Sequence, residues 1–413
     1  MSSQDKGVGP ILALSRKQSH HYAPFREGLG REFIEVSDWD PAVVKALRPL
    51  ILLTLTDDWY EADRCIRRAR GLGIPTLFIM DGILEWRHQW EDPQLGALRG
   101  VAHMQPVTTD KIACLGRQSV RQVEAWGNVG KAELVGCPRL DHFLTNPVPR
   151  TSHDGREKRL LIMTANTPAF TQHQMALVEK SLADLQRVLS SQTDWKPIWR
   201  VSGALRERLG LSDDFPGLQG QSLHDVLTFA DAVVTTPSTS QLEAMLAGRP
   251  TALLDYSNSP HYVPAAWRIT AEDHLEPVLR DLAGPPHRRM AYQDEILHDC
   301  LECHTPAAPR MIRLIETMIE SSRERREQGR PLRFAPRLLP LEHGVAALPS
   351  ADFDLGALYP DNATLTNTDR VELQRQLVFA QQEICELRRK ARKLDVIRRA
   401  RTLLSNGRFK VRV

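Results

Sequence analysis

The sequence predicts an α/β protein with two parallel-sheet domains and a C-terminal helical, coiled-coil extension. Three observations predict it. Short apolar runs alternate with helix-like segments from Pro10 to about residue 325, the pattern of parallel strands joined by crossover helices. The polar stretch Thr145 to Lys158 (TNPVPRTSHDGREK) interrupts that alternation once and reads as an interdomain linker. From Val371 the apolar spacing changes to alternating four- and three-residue steps, a heptad seam. The expected boundaries are a first domain at 1–145, a linker at 146–158 and a second domain at 159–325. An irregular linker at 326–368, a heptad helix at 369–402 and a basic tail at 403–413 follow.

In the first domain, Pro10 to Leu14 (PILAL) is the first strand, leading into a polar loop with His20, His21 and Tyr22. Gly28-Leu-Gly30 lacks the third glycine of a dinucleotide fingerprint. Pro41 to Leu47 is a helix. Leu50 to Leu55 is a buried strand ending in Thr56-Asp57-Asp58-Trp59-Tyr60. A helix from Glu61 to Arg70 follows, stopped by Gly71-Leu-Gly73. Ile74 to Met80 is the next strand and ends at Asp81-Gly82. Lys111 to Leu115 and Ala132 to Val135 are further strands around a helix at Gln118 to Trp126. Ligands of such sheets sit beyond the strands' carboxyl ends, where His20, His21, Asp57, Asp58, Asp81 and Glu85 fall.

In the second domain, the strand Arg159 to Met163 runs into Thr164-Ala-Asn166-Thr167-Pro168, ahead of a helix at Gln172 to Leu189. Lys196 to Val201 is a strand with Arg200 near its end. Leu223 to Leu227 is a short helix. Ala232 to Val234 is a buried strand, broken by Thr235-Thr236-Pro237. Ser238, Thr239 and Ser240 then open a helix that Gly248 ends, and Thr251 to Leu254 is the next strand. A hydroxyl-rich helix start offers N–H groups and a positive dipole end to a phosphate. Glu243, one turn in, suits the two hydroxyls of a ribose; dipole complementation explains it equally well. Helices around Leu275 to Leu282 and Met311 to Ile319 finish the domain.

The stretch Asp231 to Pro250 (DAVVTTPSTSQLEAMLAGRP) resembles the donor-nucleotide motif of GT-B glycosyltransferases. Lys111 to Asp141, ending GCPRLD, resembles the end of the N-terminal domain in the bacterial surface-polysaccharide branch. That branch is similar to UDP-N-acetylglucosamine 2-epimerases and teichoic-acid polymerases. The resemblance implies two Rossmann-like domains facing across a cleft. It implies a nucleotide-sugar donor held by Thr164, Asn166, Thr167, Arg200, Ser238, Thr239, Ser240 and Glu243. It also implies a glycan or lipid-linked acceptor on the first domain, with no metal and no cofactor. Where related strands end in a basic or His-Pro element, this chain reads Trp199-Arg200-Val201-Ser202. Where related sequences carry His-Gly, it reads Asp81-Gly82, which keeps a proton acceptor.

A base must deprotonate an acceptor hydroxyl. Asp81 is the first candidate, with Glu85, His20 and His21 as alternatives; an Asp before Gly is also an ordinary turn residue. Three readings remain open: a glycosyltransferase, a nucleotide-sugar 2-epimerase, and a non-catalytic nucleotide-sugar-binding scaffold. No Walker A motif is present.

Composition narrows the setting. The 413 residues include no run of 18 apolar ones, and the N-terminus lacks a signal-peptide layout, which predicts a cytoplasmic protein. The net charge is +3, yet residues 388–412 carry eleven Lys/Arg against one Asp. The remainder is therefore acidic, which argues against a nucleic-acid partner. The tail Arg388 to Val413 intersperses cations with Leu394, Ile397, Leu403, Leu404 and Phe409, so it suits an anionic membrane surface or a solvated helix end. The seam Leu373, Leu377, Ala380, Ile384, Leu387, Ala391 and Leu394 suits a homomeric coiled coil or packing on its own domain. Six scattered cysteines are expected to be reduced, and Cys300-Leu-Glu-Cys303-His304 matches the haem-attachment spacing only by chance.

Overall fold

The computed structural model describes residues 9–16, 18–56, 59–93, 103–149, 157–191, 194–211, 215 and 220–340, with eight single positions between 377 and 391. The chain divides into two compact units, Met1–Asp352 and Phe353–Val413.

The first unit holds two all-parallel sheets. The first has strands β1 (Ile11–Leu14), β2 (Phe33–Val36), β3 (Ile51–Thr54), β4 (Thr76–Ile79), β5 (Lys111–Cys114) and β6 (Ala132–Leu134), in the order β2-β1-β3-β4-β5-β6. The second has β7 (Lys158–Met163), β8 (Trp195–Arg200), β9 (Ala232–Thr235), β10 (Thr251–Leu254) and β11 (Trp267–Ile269), in the order β11-β10-β9-β7-β8. Strands β1, β3, β4, β9 and β10 are buried throughout, because helices cover both faces of a parallel sheet. That is why they read as unbroken apolar runs.

Helix α1 (Pro41–Leu47) starts where the sequence places it. Asp40 caps it, its carboxylate accepting from Ala42 N at 2.8 Å, and Pro41 fills a position that needs no N–H. Helices α2 (Tyr60–Gly71) and α3 (Arg117–Ala125) complete the first layer, and α4 (Gln172–Ser191), α5 (Gly203–Leu209), α6 (Leu223–Phe229), α7 (Ser240–Leu246), α8 (Leu275–Ala283) and α9 (His287–Cys300) serve the second sheet.

Helix α10 (Ala307–Glu327) departs from the expected boundaries. It follows the second sheet in sequence, yet Met311, Leu314, Ile315 and Met318 pack with Ile11, Tyr22, Phe25, Ile51 and Leu53 of the first. The chain therefore returns to the first domain before residue 325. Residues Cys300 to Thr305 are the strap that carries it across. A Cβ on Gly116 would stand 2.2 Å from the carbonyl carbon of Cys300, so a side chain there is incompatible with the strap. The Cys300–Cys303–His304 run lies in this strap, with both cysteines free and buried and Cys303 Sγ 3.6 Å from His298 Nδ1.

Past α10 the described chain is irregular, but residues 335–339 are fastened to the sheet edge. Lys111 Nζ, fully buried, donates to Glu133 (2.6 Å), Ala335 O (2.7 Å) and Pro336 O (3.1 Å), while Glu133 accepts from Leu338 N and Leu339 N. Each buried charge is thus paired and further hydrogen-bonded, the condition for tolerating it.

In the second unit, Leu377, Ala380, Ile384, Leu387 and Ala391 are helical and exposed. The other seam positions, Leu373 and Leu394, and most of the basic tail lie outside the described residues, as do Asp57 and Asp58. Among the described residues no helix is long and apolar enough to cross a membrane.

Candidate functional site

In the second sheet the chain steps from β7 outward to β8, then returns to β9 on the other side. The crevice between β7 and β9 is therefore a topological switch point, the usual ligand position in such sheets. Two polar loops leave there. The Thr164 loop is tied to the Thr235–Ser240 loop by Thr236 N donating to Met163 O (3.2 Å) and Ala165 N donating to Thr236 Oγ1 (2.9 Å).

A cavity of about 590 Å³ opens at this point. Its second-sheet wall includes Thr164, Asn166, Arg200, Ser238, Thr239, Ser240 and Glu243. The opposite wall is supplied by the first domain through His20, His21, Asp81, Gly82 and Arg139. Ten of the twelve donor and base candidates named from sequence thus meet in one space. Thr167 is exposed and outside the lining. Glu85 lines a neighbouring cavity of about 390 Å³, with Arg16, Trp39, Trp59, His88 and His103. Asp81 and Gly82 belong to both walls.

The hydroxyls at the start of α7 are organised differently from the expected cap. Ser238 Oγ accepts from Ser240 N (3.2 Å) and from Ser240 Oγ (3.0 Å). Thr239, at the cap position, makes no cap bond. Its Oγ1 instead accepts from Ile83 N of the first domain at 3.2 Å. Gly82 makes that approach possible, since a Cβ there would lie 2.6 Å from Thr239 Oγ1.

Glu243, 8% exposed, faces the cavity but is already engaged. Arg139 Nη1 donates to its Oε1 at 2.8 Å. This ion pair also crosses between domains, and sequence reasoning did not find Arg139 as a site residue. Its only signal was a cation in the loop after β6, in GCPRLD. Arg87, 2% exposed, pairs with Glu85 and donates to Pro168 O across the same boundary. Glu85 is therefore a charge partner in the wall. Burial raises its carboxyl above the ordinary range, against the pull of Arg87.

His20 and His21 stand on a short turn, Ser19–His21, after β1, with ring centroids 4.1 Å apart. Burial first, then the charges of His20 and Arg139, lower the His21 pKa to about 3. His21 is thus a neutral imidazole over the physiological range. It offers a hydrogen bond without a charge.

Neither a scan against protein-family models nor a search of curated proteins gives a match. Solved structures do match. The Staphylococcus aureus MnaA–UDP co-structure aligns with TM-score 0.55 at 12% identity, covering 76% of this chain and 97% of that one. The Methanocaldococcus jannaschii UDP-GlcNAc 2-epimerase in complex with UDP-GlcNAc and UDP aligns at 0.51 and 11%, covering 74% and 99%. The UDP-N-acetylglucosamine 2-epimerase from Rickettsia bellii aligns at 0.50 and 12%, covering 76% and 97%. At such identities the likeness is one of fold. It agrees with the two parallel sheets and the cavity between them: the chain has the GT-B-like fold of two Rossmann-like domains facing across a cleft.

Proposed function

We propose that this protein is an enzyme that binds a nucleotide sugar in the 590 Å³ cleft and transfers the sugar to a hydroxyl acceptor. The observation that carries the reading is the convergence on one cavity of four strand ends from the two sheets: those of β7, β8 and β9 with that of β4. Its volume lies within the usual range for small-molecule sites. The UDP bound in two structures of the same fold supports a nucleotide ligand.

In this reading the hydroxyl and N–H groups around Ser238 and Thr164 take the diphosphate, and Arg200 and Arg139 offset its charge. Glu243 takes the ribose hydroxyls. The acceptor oxygen attacks the anomeric carbon, and the bond to the diphosphate oxygen breaks. Asp81 receives the acceptor's proton, with His20 and neutral His21 beside it. The acceptor is a glycan or lipid-linked glycan reached from the first domain. No step requires a metal or a cofactor. Two further proposals concern the second unit. The exposed seam of Leu377, Ile384 and Leu387 supports self-association, and the cations of 388–412 support binding of the cytoplasmic face of an anionic membrane.

Purified protein incubated with UDP-, GDP-, CDP- and CMP-sugars tests the core of this. Tight binding of one nucleotide, with slow hydrolysis of its sugar, supports transfer. A new sugar epimer with the nucleotide intact replaces transfer by 2-epimerisation. Failure to bind any of them removes both readings. Light scattering before and after Leu387→Lys tests self-association, and liposome sedimentation with 388–413 deleted tests the membrane role.

A further inference from the structure

The loop after β4 continues past Asp81 into a short helical turn, Arg87–Glu91, and reaches the second domain at four points. Ile83 N donates to Thr239 Oγ1 ahead of α7 (3.2 Å), and Arg87 Nη1 donates to Pro168 O in the loop after β7 (3.3 Å). Trp90 Nε1 donates to the Tyr262 hydroxyl, beyond β10 (2.8 Å). Glu91 Oε2 accepts from Gln174 Nε2 in the first turn of α4 (2.7 Å). Residues 83–91 thus grip the segments that follow β7, β9 and β10.

Inner and outer grips differ. Inside, Arg87 is 2% exposed, and Thr239 Oγ1 stands only 2.6 Å from where a Cβ on Gly82 would be. The outer grips sit at the rim, where Trp90 is 46% exposed and Glu91 is exposed. The Tyr262 ring lies 5.7 Å from both Trp86 and Trp126, so a second-domain phenol is seated among first-domain indoles at aromatic-pair distances. Water replaces an exposed hydrogen bond at small net cost, so these rim fastenings can release without unfolding either domain. The inner grips engage the groups that the transfer reading gives to the nucleotide. Thr239 is taken by Ile83 N, and Glu243 by Arg139 in the same domain interface.

We infer that residues 83–91 are an autoinhibitory clamp: the rim bonds Trp90–Tyr262 and Glu91–Gln174 hold the domains in the arrangement that engages Thr239 and Glu243, so clamp and nucleotide compete. The competition rests on the proposed nucleotide reading of the cleft. When a binding-competent state is only fractionally populated, apparent affinity is reduced by that fraction. Breaking a rim bond raises the fraction. It should therefore tighten nucleotide binding, the reverse of what damage to a site does.

The test titrates UDP, GDP and CDP calorimetrically into the full chain and into its Tyr262→Phe, Trp90→Phe and Glu91→Ala variants. Tyr262→Phe and Trp90→Phe each keep a ring and remove the same bond. Each should tighten binding of the preferred diphosphate about two- to tenfold, as one hydrogen bond contributes, and the two together should do no more than one alone. Glu91→Ala should add a further factor of similar size. Unchanged or weaker binding in all three overturns the inference. Spin labels on Val129→Cys and Ser190→Cys, exposed positions in the two domains, read the clamp in buffer alone. Cys385→Ser is the background, the other cysteines being buried. The wild type should show one label separation, and Tyr262→Phe with Glu91→Ala a second, longer one; the same distribution in both overturns the clamp. Failure of the wild type to bind any of the diphosphates instead overturns the nucleotide reading, and the label separations still decide the clamp, so the two failures are distinguishable.

Discussion

The ion pair between Arg139 and Glu243 is the contact whose removal says most about the cleft. The two atoms lie 2.8 Å apart, with side chains 22% and 11% exposed. At that separation and an effective dielectric near 20, the attraction is about 6 kcal/mol before desolvation. Desolvation of two partly buried ions removes most of it, several kcal/mol per ion at full burial. Discounted for the remaining exposure, a net coupling of about 1–2 kcal/mol is expected. Glu243→Gln and Arg139→Gln, singly and together, form the cycle. Chemical unfolding reads the coupling, and calorimetry reads nucleotide affinity. Both single variants should lose stability and the double variant should lose less than their sum. Glu243→Gln should also weaken nucleotide binding about tenfold, through loss of charged hydrogen bonds to the ribose. If the double variant is additive and both singles bind nucleotide as the wild type does, the pair is incidental and the site has been assigned wrongly.

Three other outcomes follow from the geometry. Asp81→Asn should lower transfer about 10²–10⁴-fold while nucleotide affinity holds; retained turnover in a steady-state assay would move the base to His20. His21 is held neutral, with its folded pKa about 3 below the ordinary value near 6.5. The unfolded chain therefore binds the extra proton first, so stability should fall as pH drops from about 6.5 toward 3. His21→Gln should flatten that part of the curve in urea unfolding at a series of pH values, and an unchanged slope would contradict the assignment. Gly116→Ala forces a Cβ against the backbone of Cys300 and should cost about 1–3 kcal/mol. Gly71→Ala, with nothing within 4 Å, is the control, and equal thermal midpoints for the two would refute the close approach at the strap.

The sheets were legible because a parallel strand covered on both faces leaves an unbroken apolar run, as in β3, β4 and β9. Two edge strands escaped for the complementary reason. β2 (Phe33–Val36) is only partly buried along its length and carries Glu35, and β11 (Trp267–Ile269) is three residues long with exposed Arg268 at its centre. Helix α10 was recognised as a helix but assigned to the wrong sheet, since amphipathicity reports that a face is buried and not against what. In the site, residues at strand ends were found because parallel topology sends every carboxyl end to one side. Their partners were not. Glu243 meets Arg139 across 104 positions and Thr239 meets Ile83 across 156, and no local pattern encodes either contact.

Those two contacts bear on how the cleft takes a ligand. Both use side chains that the transfer reading gives to the nucleotide. If the ribose takes Glu243 from Arg139, the guanidinium loses its counter-charge in a partly buried position, a loss that must be offset by the same ligand. A nucleoside diphosphate does so, because it carries the diol for Glu243 and anionic oxygens for Arg139 and Arg200. A bare nucleoside carries only the diol. Its binding should therefore fall short of the diphosphate by at least about a hundredfold, as two or more charge-assisted hydrogen bonds would contribute. In Arg139→Gln the stranded charge is gone, so the gap should narrow, chiefly because the diphosphate binds less well. Calorimetric titration of uridine, UMP and UDP, and of the matching series for any other base preferred, measures it in both proteins. The same gap in the variant as in the wild type would show that Arg139 never meets the phosphates and serves only to hold the two domains together.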